Sequence, residues 1–321
     1  MKVSILVPIY NVEAYIERCA ISLFEQTYKN IEYIFVNDCT LDNSMEILCR
    51  TMECYPERAF QTKVINHTTN KGLAAARTSA LRNSTGDYIM HVDSDDYLSL
   101  DAVEKCVTLA VENNADIIAC ALNHIYEHKS EVEIPVVGTC KEEYIYNLLN
   151  RRTPVNLVAQ FVRRDVIHED AYPIIGLNFG EDYVTTSRVA YYADKILPLN
   201  DPVYNYWHKN IQSYTNNVSI RHIKDVLRAC DIIELFYKSK KDFHLYTSAI
   251  NDAFYRNIVL LLILCDNRDL DYIMSLDIKK DKPKNLRMSM KHKLMYILYY
   301  LNCKNLIKVY KRLGLFIQRN F

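Results

Sequence analysis

Glycine is scarce in this chain, with 6 among 321 residues, and tryptophan occurs once. So little glycine excludes a collagenous repeat. It also leaves no G-x-G-x-x-G after the first apolar stretch and no G-x-x-x-x-G-K-[ST] anywhere. The backbone loops that cradle phosphate in dinucleotide folds and P-loop enzymes are therefore missing. Ten cysteines are present, but no C-x-x-C pair and no Cys/His cluster, so no usual zinc site can be read. Cys19, Cys120 and Cys265 stand in apolar contexts, where a reduced thiol behaves as a small hydrophobe. The longest apolar runs, Ile258 to Cys265 and Leu294 to Leu301, fall short of the ~20 residues that a spanning helix needs. The N-terminus enters a strand pattern directly, so no signal peptide is expected. A cytoplasmic, reducing setting is the expectation.

What the chain does have is length, an apolar fraction of 50%, and 25 tyrosines. That is enough for one large domain with an appendage, or for two modest domains. The net charge of zero hides an asymmetry. Residues 1–215 hold 19 Lys and Arg against 29 Asp and Glu, and the remaining residues hold 20 against 10. An acidic body with a basic tail suggests two tasks, and the tail is the part that seeks anions.

The first hundred residues alternate strand and helix. Lys2 to Val7 reads as a buried strand, ended by Pro8 because proline cannot donate to a sheet ladder. Asn11 is placed to cap a helix with apolar residues at Val12, Tyr15, Ile16, Cys19, Leu23 and Phe24. A strand over Ile31 to Val36 leads through the polar loop Asn37 to Ser44 into a helix over Met45 to Met52. A strand at Lys63 to Ile65 precedes Asn70-Lys71-Gly72 and a helix over Leu73 to Leu81. A fourth strand, Asp87 to Met90, enters the turn His91-Val92-Asp93-Ser94-Asp95-Asp96-Tyr97, and a helix is expected from near Leu100.

This alternation implies an α/β fold: a mostly parallel, Rossmann-like sheet flanked by helices. In such sheets the ligand crevice lies beyond the carboxyl ends of the strands. The polar groups at Tyr10-Asn11, Asp38, Lys71-Gly72 and Asp93-Ser94-Asp95 all fall there. Three carboxylates within four residues repel one another, and a hard divalent cation such as Mn²⁺ or Mg²⁺ would hold them together. A solvated helix cap is the plain alternative for this turn.

These residues carry a resemblance. The stretch VSILVPIYNVEAYIERCAISLFEQTYKNIEYIFVNDCTLDNS resembles the opening of the family-2 nucleotide-sugar glycosyltransferases, which have the GT-A fold. NKGLAAAR, HVDSDDYL and FGEDYVTTSRVAYYADKILPLNDPVYNYW resemble that family's later blocks, in the same order, over residues 1–215. The resemblance implies an inverting, metal-dependent enzyme. It would move a sugar from a nucleotide-sugar donor, of the UDP-linked kind, to a glycan or lipid-linked acceptor in bacterial surface polysaccharide synthesis.

It also implies roles. Pro8, Tyr10 and Asn11 stand at the donor nucleotide, with the Tyr10 ring against the base. Asp38 accepts a hydrogen bond from the base imide. Lys71 and Arg77 face phosphate or base, with Asp38 as a second partner for Arg77. Asp93 and Ser94 meet the donor, and Asp93 meets ribose or metal-bound water. Asp95 is the direct metal ligand, with Asp93 and His208 beside it; Lys209 shares the basic position with His208. Asp182 is the base that takes the acceptor's proton, and Glu181 orients it or binds acceptor. Asp42 and Ser44 read as caps of the following helix. The chain departs from the family at Asn37 and at Cys39, which stands where the family has a glycine. It departs again at Val158-Ala159-Gln160-Phe161, where an acceptor-side Trp and Lys are expected.

Beyond residue 215 the resemblance fades. Residues 216–321 read as a helical, basic region. From Lys279 onward about a dozen basic residues accompany one acid, Asp281. Helices over Met288 to Leu301 and Leu306 to Phe316 mix Lys and Arg with Leu, Ile, Tyr and Phe, a pattern of interfacial helices on an anionic leaflet. That would make the enzyme peripheral on the inner face of the membrane; a solvated cap on the core is the other reading. No nucleic-acid motif accompanies the charge, so nucleic acid is not an expected partner. A second functional class is a catalytically inactive relative that binds nucleotide-sugar or a partner enzyme, suggested by Asn37 and Cys39 and by the missing acceptor-side Trp and Lys. A nucleotidyltransferase would want a glycine-rich loop that PIYNVEAY lacks.

Overall fold

In the computed structural model, which describes residues 1–208, 220–276 and 290–312, the first strand is buried along its whole length. This is β1 (Val3–Ile9). Its odd-numbered residues Val3, Ile5, Val7 and Ile9 pack with Ile16, Cys19 and Leu23. On the other face Leu6 packs with Ile34, Val36, Ala76, Ala80 and Ile89. A strand covered on both faces must be apolar at nearly every position, which is why it reads as a continuous run rather than an alternation.

The chain continues through α1 (Ile16–Phe24), β2 (Ile31–Asn37), α2 (Ser44–Glu53), α3 (Pro56–Ala59), β3 (Thr62–Asn66), α4 (Leu73–Arg82) and β4 (Tyr88–His91). Then come β5 (Tyr97–Leu98), α5 (Ala102–Asn113), β6 (Ile117–Ile125), β7 (Ser130–Glu133), α6 (Lys141–Leu149), β8 (Gln160–Arg163), α7 (Glu181–Tyr192) and β9 (Ile196–Trp207). The sheet order is β3-β2-β1-β4-β8-β6-β9-β5, with β7 beside β6. Strands β3, β2, β1 and β4 are parallel, as are β6 and β9, while β8, β7 and β5 join antiparallel. The β6–β9 register slips between Cys120 and Leu122, so β9 runs on past the irregularity to reach β5. The end of β9 meets the acidic turn at Asp96.

Two sequence expectations are corrected. Pro8 does not end β1; the strand pairs with β2 through Ile9–Asn37. Leu6 accepts from the Val92 N–H, so the amides of even-numbered residues face β4, whose pairing stops at Leu6–His91. The donor that Pro8 lacks therefore falls beyond β4 and is not missed. Asn11 does not cap α1 either. It takes φ 54, its N–H donates to Thr40 Oγ1 at 2.8 Å, and the amides of Val12 and Glu13 donate to Ser44 and Asp42. Residues 11–13 are thus tied to the loop after β2, and α1 begins at Ile16.

The chain divides into two compact units, Met1–Ile211 and Gln212–Phe321. The second contains α8 (Ile220–Lys238), α9 (Thr247–Leu264), α10 (Leu270–Ser275), α11 (Met290–Tyr300) and α12 (Lys304–Arg312). Lys311 Nζ donates to the Leu262 carbonyl at 2.8 Å and to that of Cys265, closing the C-terminal end of α9 with a cation. Among the described residues no helix is long and apolar enough to cross a membrane.

Candidate active site

Helix α4 is built to lie close on the sheet. Ala74, Ala75, Ala76 and Ala80 are buried, and their small side chains let the helix axis approach β1 and β2. Gly72 starts it at φ 86 and ψ 164, a conformation that glycine adopts readily and that costs other residues roughly 1–3 kcal/mol. The close approach carries Arg77 into the interior, where it is 1% exposed.

Arg77 gathers three carboxylates from two distant segments. Nη2 donates to Asp93 Oδ1 at 2.8 Å. Nη1 donates to Glu181 Oε1 at 2.8 Å and also to Asp182. The Glu181 side chain is 9% exposed, and those of Asp93 and Asp182 are 27% and 23% exposed. One guanidinium against three carboxylates leaves excess negative charge. Burial pushes Glu181 well above the usual carboxylate range, and the neighbouring Asp182 adds to this. Burial likewise raises Asp182, with Arg77 pulling against it and Asp93 reinforcing it. Burial would lower Arg77, but Asp182, Asp93 and Glu181 together hold its guanidinium firmly charged. Behind it, His91 is pushed down to about 3 by burial and by Arg77, so it is neutral.

The acidic turn is split by direction. Asp96 points inward, 2% exposed, and accepts from Tyr204 Oη at 2.7 Å and from the Trp207 N–H at 2.8 Å. Tyr204 Oη in turn accepts from the Asp93 N–H at 3.1 Å. Arg18 clamps the same turn: Nη2 donates to the Asp95 carbonyl at 2.8 Å, and its guanidinium lies 4.5 Å from the Tyr97 ring and 4.2 Å from the Trp207 ring. Asp96 and β9 thus fix the turn, while the Asp93 and Asp95 side chains stay partly exposed and Ser94 is buried.

Asp38 ties the second loop to the third. It is buried and accepts from the amides of Lys71 at 2.9 Å and Gly72 at 2.7 Å and pairs with His67 Nδ1 at 2.6 Å; His67 Nε2 reaches Ser79 at 2.8 Å. Arg77 therefore meets Asp93, Glu181 and Asp182, not Asp38. Cys39 takes φ 60, a left-handed conformation that glycine adopts freely and other residues rarely. Asp42 accepts from the Ser44 N–H at 3.1 Å, next to the start of α2. Tyr10 is 42% exposed at the end of β1, beside exposed Asn11 and buried Pro8, and Lys71 is exposed.

His208 pairs with a second histidine. Its Nε2 meets His124 Nδ1 at 2.8 Å, and its ring stacks on Tyr126 at 4.3 Å. His124 Nε2 continues to Glu133 Oε2 at 2.9 Å. Among the described residues no group of three or more His, Cys, Asp or Glu side chains is arranged to hold a metal. Asp93 and Asp95 supply hard oxygen donors on one turn, which fits a cation that takes one or two protein ligands and completes its shell from phosphate and water. Lys209, the other basic position considered, lies outside the described residues. Sequence reading missed Arg18, His67, His124 and Tyr204 as supports; each acts on a partner at least 29 residues away, and no local pattern marks it.

The model of glycosyl transferase family 2 matches residues 4–170. The chain belongs to that family. It is 30% identical over 217 residues to the glycosyltransferase GlyA of Streptococcus pneumoniae, covering 64% of this chain and 30% of GlyA. It is 32% identical over 212 residues to EpsH of Bacillus subtilis, covering 64% of this chain and 60% of EpsH. It thus spans less than two thirds of either relative. Among solved structures, S. aureus TarS superposes with a TM-score of 0.71 at 18% identity, over 97% of this chain and 55% of TarS. TarS 1-349 in complex with UDP-GlcNAc gives 0.65 at 17% identity, over 98% and 92%. The family-2 chain has the GT-A fold, with a helical C-terminal region.

Proposed function

We propose that this family-2 protein is an inverting, metal-dependent glycosyltransferase. It moves a sugar from a UDP-linked donor to a glycan or lipid-linked acceptor in bacterial surface polysaccharide assembly. One observation carries the proposal: Arg77 joins the acidic turn beyond β4 to the N-terminus of α7, so Asp93 and Asp182 share one cation. Donor-side and acceptor-side carboxylates then converge on the crevice where such sheets bind ligands. The names of GlyA and the poly(ribitol-phosphate) beta-glucosyltransferase of Bacillus spizizenii support the reaction class, and the UDP-GlcNAc complex of TarS supports the donor class.

In this reading residues 1–215 carry the chemistry. The nucleotide lies across Pro8, Tyr10 and Asn11, with Asp38 and Lys71 at the base and phosphate side. Asp95, aided by Asp93, would hold Mn²⁺ or Mg²⁺, which would supply positive charge against the diphosphate leaving group. A Mn²⁺ complex of the mannosyltransferase PcManGT, at TM-score 0.52, supports that choice. Asp182 accepts the proton of the acceptor hydroxyl as that oxygen attacks the anomeric carbon from the face opposite the diphosphate, inverting it. A carboxyl held above its ordinary range by burial is a stronger base than a solvated one. Arg77 keeps the three carboxylates in register. The basic C-terminal region holds the enzyme at the inner face of the membrane.

The inactive-relative reading rests on Asn37 and Cys39 and on the missing acceptor-side Trp and Lys at residues 158–161. Cys39 retains a glycine-like backbone, which favours the active enzyme. The test is a panel of nucleotide sugars scored by thermal stabilisation with and without Mn²⁺. One UDP-sugar should raise Tm only with metal, and Asp95→Ala should abolish the metal dependence. Stabilisation by no nucleotide sugar, or equal stabilisation of Asp95→Ala, would remove the donor site or the metal role respectively.

A further inference from the structure

Helix α11 has two opposite faces. Met295 is fully buried, and Tyr296 meets Tyr255 of α9 edge-on with ring centroids 5.1 Å apart. On the other side Met290, Leu294, Ile297 and Leu301 are 81%, 40%, 49% and 61% exposed. Leu301 extends the helical pattern, since its N–H donates to the Ile297 carbonyl at 2.9 Å. At about 100° per residue, the four fall within a stripe about 60° wide, centred roughly opposite the packed face. Lys291 and Lys293 are exposed and flank this stripe, one on each side. In α12, Leu306 and Val309 are also exposed.

The outer face of a helix in water is ordinarily charged; here it is apolar. Residues 290–312 hold six Lys and Arg and no acid. Lys304 is paired with Asp271 and Lys311 closes α9, so those two serve the unit's own packing. Lys291 and Lys293 lie where a side chain of their length covers the stripe's edge and carries its ammonium outward. We propose that this face of α11 docks on an anionic lipid leaflet. The apolar stripe enters the acyl boundary, and Lys291 and Lys293 reach the headgroup phosphates. The proposal rests on the membrane-directed reading of the C-terminal region and gives it a surface and residues. A protein partner fits less well: four partly exposed side chains offer well under the ~800 Å² per partner of a standard interface. A narrow apolar stripe between two lysines is instead the form of a helix lying in the membrane interface.

The test is flotation of the full chain with vesicles of equal parts phosphatidylglycerol and phosphatidylcholine, and with phosphatidylcholine alone. The chain should float with the anionic vesicles and lose most of that binding in high salt. Leu294→Glu/Ile297→Glu should lower binding by about tenfold or more. Lys291→Gln/Lys293→Gln should weaken it and flatten its salt dependence. These positions are exposed, so Tm should hold in both variants. Wild-type binding by either variant overturns the proposal. So does a wild-type chain that ignores anionic vesicles, including one that dimerises in sedimentation velocity through Leu294 and Ile297. Metal-dependent UDP-sugar stabilisation, measured on the same samples, reports separately on the transferase reading.

Discussion

Replacing Arg77 with methionine removes one cation from three carboxylates while roughly keeping the side chain's length. Removing one member of a buried ion pair destabilises by ~3–5 kcal/mol, because a charge is left without a partner. Asp93 and Asp182 keep some contact with water, so the full penalty falls on Glu181. Burial already holds Glu181 above the usual range, so it can take up a proton when the guanidinium is gone. The lower end, about 3 kcal/mol, is therefore expected for Arg77→Met. With a urea slope of ~3 kcal/mol/M, the unfolding midpoint drops by about 1 M. Trp207 is the only tryptophan and packs against Arg18 in the same unit, so its fluorescence reports that unit alone. Adding Glu181→Gln to Arg77→Met should restore part of the loss, since the cost of protonating that buried carboxylate goes with it. A midpoint unchanged by Arg77→Met would refute the role of Arg77 as the tie between the two segments.

Gly72→Ala forces a side-chain-bearing residue to φ 86; a loss of roughly 1–3 kcal/mol and a fall of several degrees in Tm are expected, and an unchanged Tm would mean α4 starts another way. Glu32 gives a pH dependence. Burial alone would raise it, but hydrogen bonds from Lys2, Ser4 and Thr85 hold it down at about 2 against an ordinary 4.5. Its stabilisation is fully present above about pH 4.5 and is lost as pH falls through about 2, so Glu32→Gln should flatten the acid limb of a stability–pH curve. An acid limb identical to wild type would contradict this.

Much of the parallel half of the sheet is legible because it follows local rules. The apolar runs of β1 and β2, the alanines of α4 and the polar residues at the strand ends each carry a periodic or compositional mark. Pro8 misleads because the cost of a missing amide depends on which neighbour it faces, and β4 ends before reaching it. Asn11 misleads because its partner Thr40 is on another loop. The acidic turn stands out, but its internal division does not. Only the long-range arrival of Tyr204 and Trp207 turns Asp96 inward and leaves Asp93 and Asp95 partly exposed. Arg77 is recognisable as a site residue from NKGLAAAR, yet its partners lie 104 and 105 residues away at Glu181 and Asp182. His208 meets His124 across the β6–β9 ladder, a pairing that no spacing shows. Ion pairs and ring contacts between distant segments leave no trace in spacing, so the site's edge can be read and its wiring cannot.

The central claim is that Asp182 takes the acceptor's proton at a site whose donor half is separate. The direct measurement is Asp182→Asn, assayed in parallel for UDP-sugar binding by calorimetry with Mn²⁺ and for sugar transfer to acceptor. Donor affinity should stay close to wild type, while transfer falls by about a hundredfold or more. Transfer at the wild-type rate would contradict the account.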